Sequence, residues 1–259
     1  MLLNPSDYSY KRFKQSRGNG DSGQIYIGTP RRENLCTVII KDYMVSDAIN
    51  EYVACNIGQK MEINTPRAWL FKQEQFPTKR ASIRFDRAVA IEYLDGLDNS
   101  LGGSYETAEL ARQTIQGHLL HYLMKEEDQI SLARYEGKVY AFDFATSLYL
   151  QARMKTLPFE FTNIKMPNGL TYSDELVLRT ESNIRKGIAR YINSLEKRGV
   201  ADKLVISAYE DFKTRFLDCF NDDRFADIIY EIKVVFSEDA SKYVEALIGS
   251  MQQALVAAL

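Results

Sequence analysis

Four groups of residues in this 259-residue chain carry side chains suited to phosphoryl transfer from ATP, and they occur in a workable order. The first is a glycine-rich turn, Gly18-Asn19-Gly20-Asp21-Ser22-Gly23, leading into an apolar run. Such a turn lets backbone N–H groups approach phosphate oxygens, although glycine–serine turns also serve merely to join strands. The second is Lys41, which closes the run Val38-Ile39-Ile40, with Glu51 ten residues further on. A lysine at the end of an apolar strand either snorkels to water or meets a carboxylate. A lysine held by a carboxylate is the usual means of neutralising phosphate charge. The third is Asp143, set in Tyr140-Ala141-Phe142-Asp143-Phe144-Ala145. A carboxylate among aromatic and small apolar neighbours is costly to bury unless it meets a cation or several donors. It therefore reads either as a magnesium ligand or as the cap of a following helix. The fourth is the acidic run Glu126-Glu127-Asp128, fifteen residues before Asp143 when counted from Asp128. Its readings are a solvated surface or a source of the base that accepts a substrate proton.

The elements that must position these groups change character along the chain. Residues 1–95 hold short runs rich in β-branched residues, and residues 105–259 read mostly as helix. Residues 24–28 and 35–41, joined by the polar turn 29–34, predict a hairpin. A helix follows from Ser46 or Asp47, with Ala48, Ile49, Tyr52, Val53 and Ile57 near the 3.6-residue spacing and Gly58 at or near its end. Strands are expected over 68–71 and 88–94, the latter stopping at Asp95-Gly96. Beyond a connector near 92–104 come a helix over 107–125 and a hairpin of 130–134 with 138–142. After them come a proline-containing loop over 157–172 and helices over 173–197, 201–220, 223–236 and 237–259. The predicted fold class is α+β and two-lobed. Residues 1–95 form a small β-rich, nucleotide-binding lobe and 96–259 a larger helical lobe, together one domain.

Composition narrows the function classes. The chain is 45% hydrophobic and 26% charged with a formal net charge of -2, so nothing global indicates nucleic acid. The 16 tyrosines are spread without a stacking-platform pattern. Three scattered cysteines, Cys36, Cys55 and Cys219, and two histidines form no zinc-type spacing, and free thiols suit a cytoplasmic protein. No signal-peptide core and no span-length apolar run is seen. His118 and His121 lie three apart on a predicted helix, as packed residues or as half of a ligand set lacking a third member.

Two segments carry a family resemblance. Asp47-Ala48-Ile49-Asn50-Glu51-Tyr52-Val53-Ala54, followed by Ile63-Asn64-Thr65-Pro66-Arg67-Ala68, resembles the HipA-like kinases, whose helix bears a similar Asn-Glu-Tyr run ahead of a proline-containing strand. Gly20-Asp21-Ser22-Gly23-Gln24-Ile25-Tyr26 is similar to their glycine–serine phosphate loop. The resemblance covers roughly residues 18–150. It implies a protein-kinase-like fold, ATP and Mg2+ as ligands, and transfer of phosphate to a protein serine or threonine or to a small molecule. By the same resemblance Gly20, Ser22, Gly23 and Lys41 contact the ATP phosphates, Glu51 pairs with Lys41, and Glu92, Tyr93 and Leu94 form the hinge to the adenine. Asp143 then binds magnesium and Asp128 is the catalytic aspartate. Ser22 stands where such kinases can modify their own loop.

The chain departs from that pattern in its catalytic loop. The family places a metal-binding Asn five positions after the Asp, whereas Ala133 stands there, and no Asn occurs between residues 100 and 160. Ala145 replaces the glycine expected after Asp143-Phe144. Three readings follow: an active phosphotransferase, a pseudokinase-like binding module that works through protein partners, or an unrelated α+β protein. Lys41 and Asp143 lie close together in the first two and apart in the third.

Overall fold

In the computed structural model of the chain, the described residues are 2–13, 25–42, 45–72, 83, 85, 88–98, 106–124, 130–144 and 172–257, and for residues 46 and 172–180 the backbone alone is described. Five antiparallel strands form one sheet. They are β1 (Tyr8–Arg12), β2 (Ile25–Pro30), β3 (Val38–Asp42), β4 (Ala68–Leu70) and β5 (Ala88–Glu92), in the order β1-β2-β3-β5-β4. Helix α1 (Val45–Lys60) links β3 to β4. Among the described residues the other elements are a short 3-10 turn (Pro5–Asp7), a two-stranded hairpin, β6 (Ser131–Tyr135) and β7 (Lys138–Phe142), and five further α-helices. These are α2 (Ala108–Leu123), α3 (Tyr172–Lys197), α4 (Asp202–Asn221), α5 (Ala226–Val235) and α6 (Glu238–Ala257).

The hairpin expected over 24–41 is β2 and β3, with Ile25 opposite Lys41 and Gly28 opposite Val38. A strand that the sequence reading does not contain, β1, lies on its outer edge, with Tyr8 opposite Pro30 and Arg12 opposite Tyr26. The alternation Tyr8, Tyr10 against Ser9, Lys11 is its signal. Phe13 N–H extends the ladder to the Ile25 carbonyl at 2.9 Å. Residues 14–24, which include the glycine-rich stretch, therefore connect two paired strands.

Both faces of the sheet are covered. Val38 and Ile40 point to a small outer cluster with Tyr8, Tyr26, Phe71 and Phe85, while Ile91 and Leu70 face the main core with α1 and the helices. Helix α1 is buried nearly all round. Residues 48–55, including the polar Asn50 and Glu51, are buried together with Ile57 and Gly58. A helix with no solvent face has a weak apolar stripe, which is why spacing alone marked only part of its core. Gly58 lies inside α1 rather than ending it. A methyl group there would sit 2.5 Å from Thr65 Cγ2 and 3.0 Å from Leu120 Cδ2, so glycine permits the close passage of the chain leaving α1 and of α2.

The hairpin β6–β7 lies on α2, and Gly117 leaves room for Leu132. It is also tied to the segment between α1 and β4. Ala141 N–H donates to the Asn64 carbonyl at 2.9 Å, and Asn64 Nδ2 to the Val139 carbonyl at 3.2 Å. These bonds bring the end of β7 beneath α1. The predicted helix over 107–125 is α2, with the Thr107 hydroxyl capping Leu110 N–H at 3.1 Å. The helix expected from 223 starts three residues later, because Asp223 adopts φ 55° in the turn after α4. No helix among the described residues is long and apolar enough to cross a membrane.

Candidate active site

Lys41 is the fourth residue of β3, on the face opposite Val38 and Ile40, so its stem runs toward α1 while its ammonium group reaches the end of the sheet. Its Nζ lies 3.3 Å from Glu51 Oε2 and 2.8 Å from Asp143 Oδ1. The Lys41 and Glu51 side chains are only 13% and 1% exposed, while Asp143 is 53% exposed. One buried carboxylate thus fixes the lysine from behind, and a half-open one meets it from the front.

The two carboxylates sit in opposed electrostatic situations. Burial pushes the Glu51 carboxyl above its usual range, against the pull of Lys41 and of the Phe144 N–H. Lys41 holds the Asp143 carboxyl below its usual range, outweighing partial burial. Asp143 also adopts φ 63°, a left-handed conformation uncommon outside glycine, which turns the chain sharply after β7. Its neighbour Phe144 is fully buried.

Phe144 stacks on His121 of α2, with ring centroids 4.3 Å apart and planes at 23°. His121 Nε2–H donates to the Ser131 carbonyl at 3.1 Å, and its buried Nδ1 has no hydrogen-bond partner. A proton on Nδ1 would find no acceptor, and burial lowers the imidazole pKa to about 4. His118, the other histidine, stacks on Tyr191 at 4.9 Å and bonds the Thr114 carbonyl at 2.8 Å. Both histidines are therefore packed residues. Because the unfolded His121 titrates near 6.5, it binds a proton that the folded form refuses between pH 6.5 and about 4. Folding stability is expected to fall as pH drops through that window, by a contribution on the order of 3 kcal/mol from this residue. Urea midpoints at pH 6.5, 5.5 and 4.5 should fall less steeply in His121→Asn than in the native chain.

The remaining sequence candidates divide into two groups. Glu92 ends β5, and its carboxylate is gripped by Arg67, with Nη2–Oε1 at 2.6 Å and Nε–Oε2 at 3.1 Å. Burial alone would raise its pKa, but these bonds bring the carboxyl below its usual range. Glu92 N–H donates to the Arg67 carbonyl and Tyr93 N–H to the Thr37 carbonyl, and Leu94 is buried. Gly20, Ser22, Gly23 and Asp128 lie outside the described residues, but the ends of their segments are fixed. Ile25, where the glycine-rich connection rejoins the sheet, is opposite Lys41. Ser131, which opens β6 after the acidic run, is opposite Phe142, the residue before Asp143. The described residues that follow both segments thus pair with Lys41 and with the neighbour of Asp143.

Ala133 is fully buried in β6, opposite Tyr140, and offers no ligand. Among the described residues no group of three or more His, Cys, Asp or Glu side chains is placed to hold a metal ion. Magnesium asks for less, since it is commonly held by one or two carboxylates together with phosphate oxygens and water. The half-open, ionised Asp143 fits that role. The Arg67–Glu92 pair, the stacking of His121 on Phe144 and the contacts behind α1 were not legible in the sequence, because each depends on a partner distant in sequence.

The chain is similar to the crystal structure of a proinflammatory kinase, CtkA, from Helicobacter pylori, with a TM-score of 0.50 and 13% identity over 99% of each chain. No protein-family model matches the chain, and no curated protein matches it in sequence. At this identity the likeness shows the fold, which is α+β and kinase-like, with a small antiparallel sheet and a larger helical part.

Proposed function

We propose that this protein is an ATP-dependent phosphotransferase of the HipA-like kinase type that uses Mg2+ and acts on a protein serine or threonine or on a small molecule. The observation that carries the reading is the position of Lys41 Nζ, 3.3 Å from buried Glu51 and 2.8 Å from half-open Asp143, where the glycine-rich connection rejoins the sheet. In kinases a β3 lysine, a glutamate on the following helix, a glycine-rich loop and an aspartate after a strand serve one reaction. The kinase-like fold adds a general prior to that local argument.

In this reading Glu51 orients Lys41, and the ammonium group shifts from Asp143 toward the phosphates as ATP enters. Main-chain N–H groups of the segment bearing Gly20, Ser22 and Gly23 cover those phosphates. Asp143 would hold Mg2+, whose charge would screen the phosphate oxygens. The substrate hydroxyl oxygen forms a bond to the γ-phosphorus, the bond from the γ-phosphorus to the bridging oxygen breaks, ADP leaves, and the hydroxyl proton passes to Asp128. The segment Glu92, Tyr93 and Leu94 meets the adenine through main-chain atoms other than the Glu92 and Tyr93 N–H groups, which are already engaged. The two lobes divide near residue 95. Three free cysteines suit action in the cytoplasm.

One observation favours a second reading, a pseudokinase-like module that binds nucleotide and works through a protein partner. Ala133, buried within β6, supplies nothing for a second metal. Incubation with ATP and Mg2+ followed by mass spectrometry distinguishes the two. The phosphotransferase reading expects phosphate on the peptide containing Ser22 or on a serine or threonine of an added protein, lost in Asp143→Asn. Nucleotide binding without any phosphate transfer would favour the module.

A further inference from the structure

We infer that α5 is a brace for α1 and that Glu231 is a positioning residue which, through Tyr52, keeps Glu51 at Lys41. The inference deepens the phosphotransferase reading by assigning how its lysine–glutamate pair is held. Tyr52 follows Glu51 on α1 and turns away from Lys41 into the helical part of the fold. It is 3% exposed, and its hydroxyl donates to Glu231 Oε2 on α5 at 2.8 Å. Burial and the facing Glu231 carboxylate push the Tyr52 hydroxyl well above its ordinary pKa, so it stays a donor.

The same grip continues to the end of α1. Lys60 Nζ lies 2.8 Å from Asp227 Oδ2, one turn before Glu231 on α5. The Cys219 thiol of α4 donates to the Lys60 carbonyl at 3.1 Å, and Arg215 Nη1 to the Met61 carbonyl at 3.2 Å. Control of kinases commonly runs through the position of the helix that bears this glutamate. Here that helix has the sheet on one side and α5 on the other, with α4 at its C-terminal end and residues 48–55 buried throughout. An outward swing must break the Tyr52 and Lys60 contacts together. The Lys41–Glu51 pair is thus held in place by the chain's own C-terminal helices.

Cysteine labelling tests this without nucleotide. Cys55 lies one turn beyond Glu51 on α1, and Cys219 lies on α4; they are 0% and 1% exposed. The full native chain, Tyr52→Phe, Glu231→Ala and Glu231→Gln are treated with iodoacetamide under native conditions, and each cysteine's rate is read by peptide mass spectrometry. A charge-assisted hydrogen bond lost from the brace should raise Cys55 labelling at least about ten-fold in Tyr52→Phe and Glu231→Ala, well beyond any rise that the change in global stability, read from urea midpoints, accounts for. Glu231→Gln, which still accepts from the Tyr52 hydroxyl, should stay near the native rate. Unchanged Cys55 rates, or a rise no larger than the loss of global stability read from urea midpoints explains, would overturn the brace. ATP titration of the same proteins separates the two proposals. Selective Cys55 exposure in a chain that never binds ATP keeps the brace and removes the phosphotransferase reading.

Discussion

Replacing Lys41 with Met is expected to abolish phosphate transfer, with a fall of at least about 10²-fold, and to destabilise the fold by about 3–5 kcal/mol at neutral pH. The two effects share one cause. Lys41 is the partner shown for both Glu51 and Asp143, at 3.3 and 2.8 Å. Asp143 is half-open and loses little when unpaired, because water takes over. Glu51 is 1% exposed and has no such relief. Removing one member of a buried pair costs more than the pair contributes, since a charge is left in low dielectric. Burial already raises the Glu51 pKa with Lys41 present, and the variant lets it rise further, so the carboxyl takes up a proton instead. The folded variant then holds a proton that the unfolded chain releases above about pH 4.5. Its stability should therefore decline as pH rises from there, and the deficit against the native chain should be smallest in acid. Adding Glu51→Gln to Lys41→Met should recover most of the stability and none of the transfer. Urea unfolding at pH 5 and 7.5 on both single variants and the double reads the cycle.

Phe144→Ala carries the second large effect. Phe144 is fully buried, and truncating a buried Phe costs about 3–5 kcal/mol. The particular expectation lies in its neighbour. Phe144 stacks on His121, whose pKa of about 4 depends on burial. With the ring gone, water reaches the imidazole, and its pKa should climb back toward 6.5. The chain has only two histidines, so an NMR titration resolves His121 against His118 as internal reference. A His121 pKa that stays near 4 would mean that α2 and β6 alone exclude water. In the proposed site Asp143, one residue before Phe144, should also hold magnesium less tightly, since the buried ring anchors the turn at φ 63°.

How much of this was readable in the sequence depends on the range of the interaction. Lys41 and Glu51 could be proposed as partners because strand and helix periods place them locally, and Asp143 stood out as an acid among aromatics. The hairpin of β2 and β3, helix α2 and the β6–β7 hairpin followed from short apolar runs bounded by turn residues. Strand β1 was missed because its five residues are mostly polar: an edge strand needs apolar residues on one face only, and Tyr8 and Tyr10 were few enough to pass as loop. Gly58 was ambiguous, because a glycine's role depends on what would meet its missing side chain, and Thr65 and Leu120 arrive from elsewhere. Arg67 on Glu92, His121 under Phe144 and Glu231 behind Tyr52 join residues 25, 23 and 179 positions apart, and no local pattern announces them. The departure at Ala133 was visible as a missing Asn, and the fold supplies its physical meaning: the position is a packed strand residue.

Binding of ATP by calorimetry, with and without Mg2+, on the native chain and on Asp143→Asn, is the most direct test of the site. Magnesium-dependent binding by the native chain, lost in Asp143→Asn, is the predicted result. Binding that ignores both the metal and the substitution, or no binding at all, would contradict the assignment of Lys41, Glu51 and Asp143 as an ATP–magnesium site.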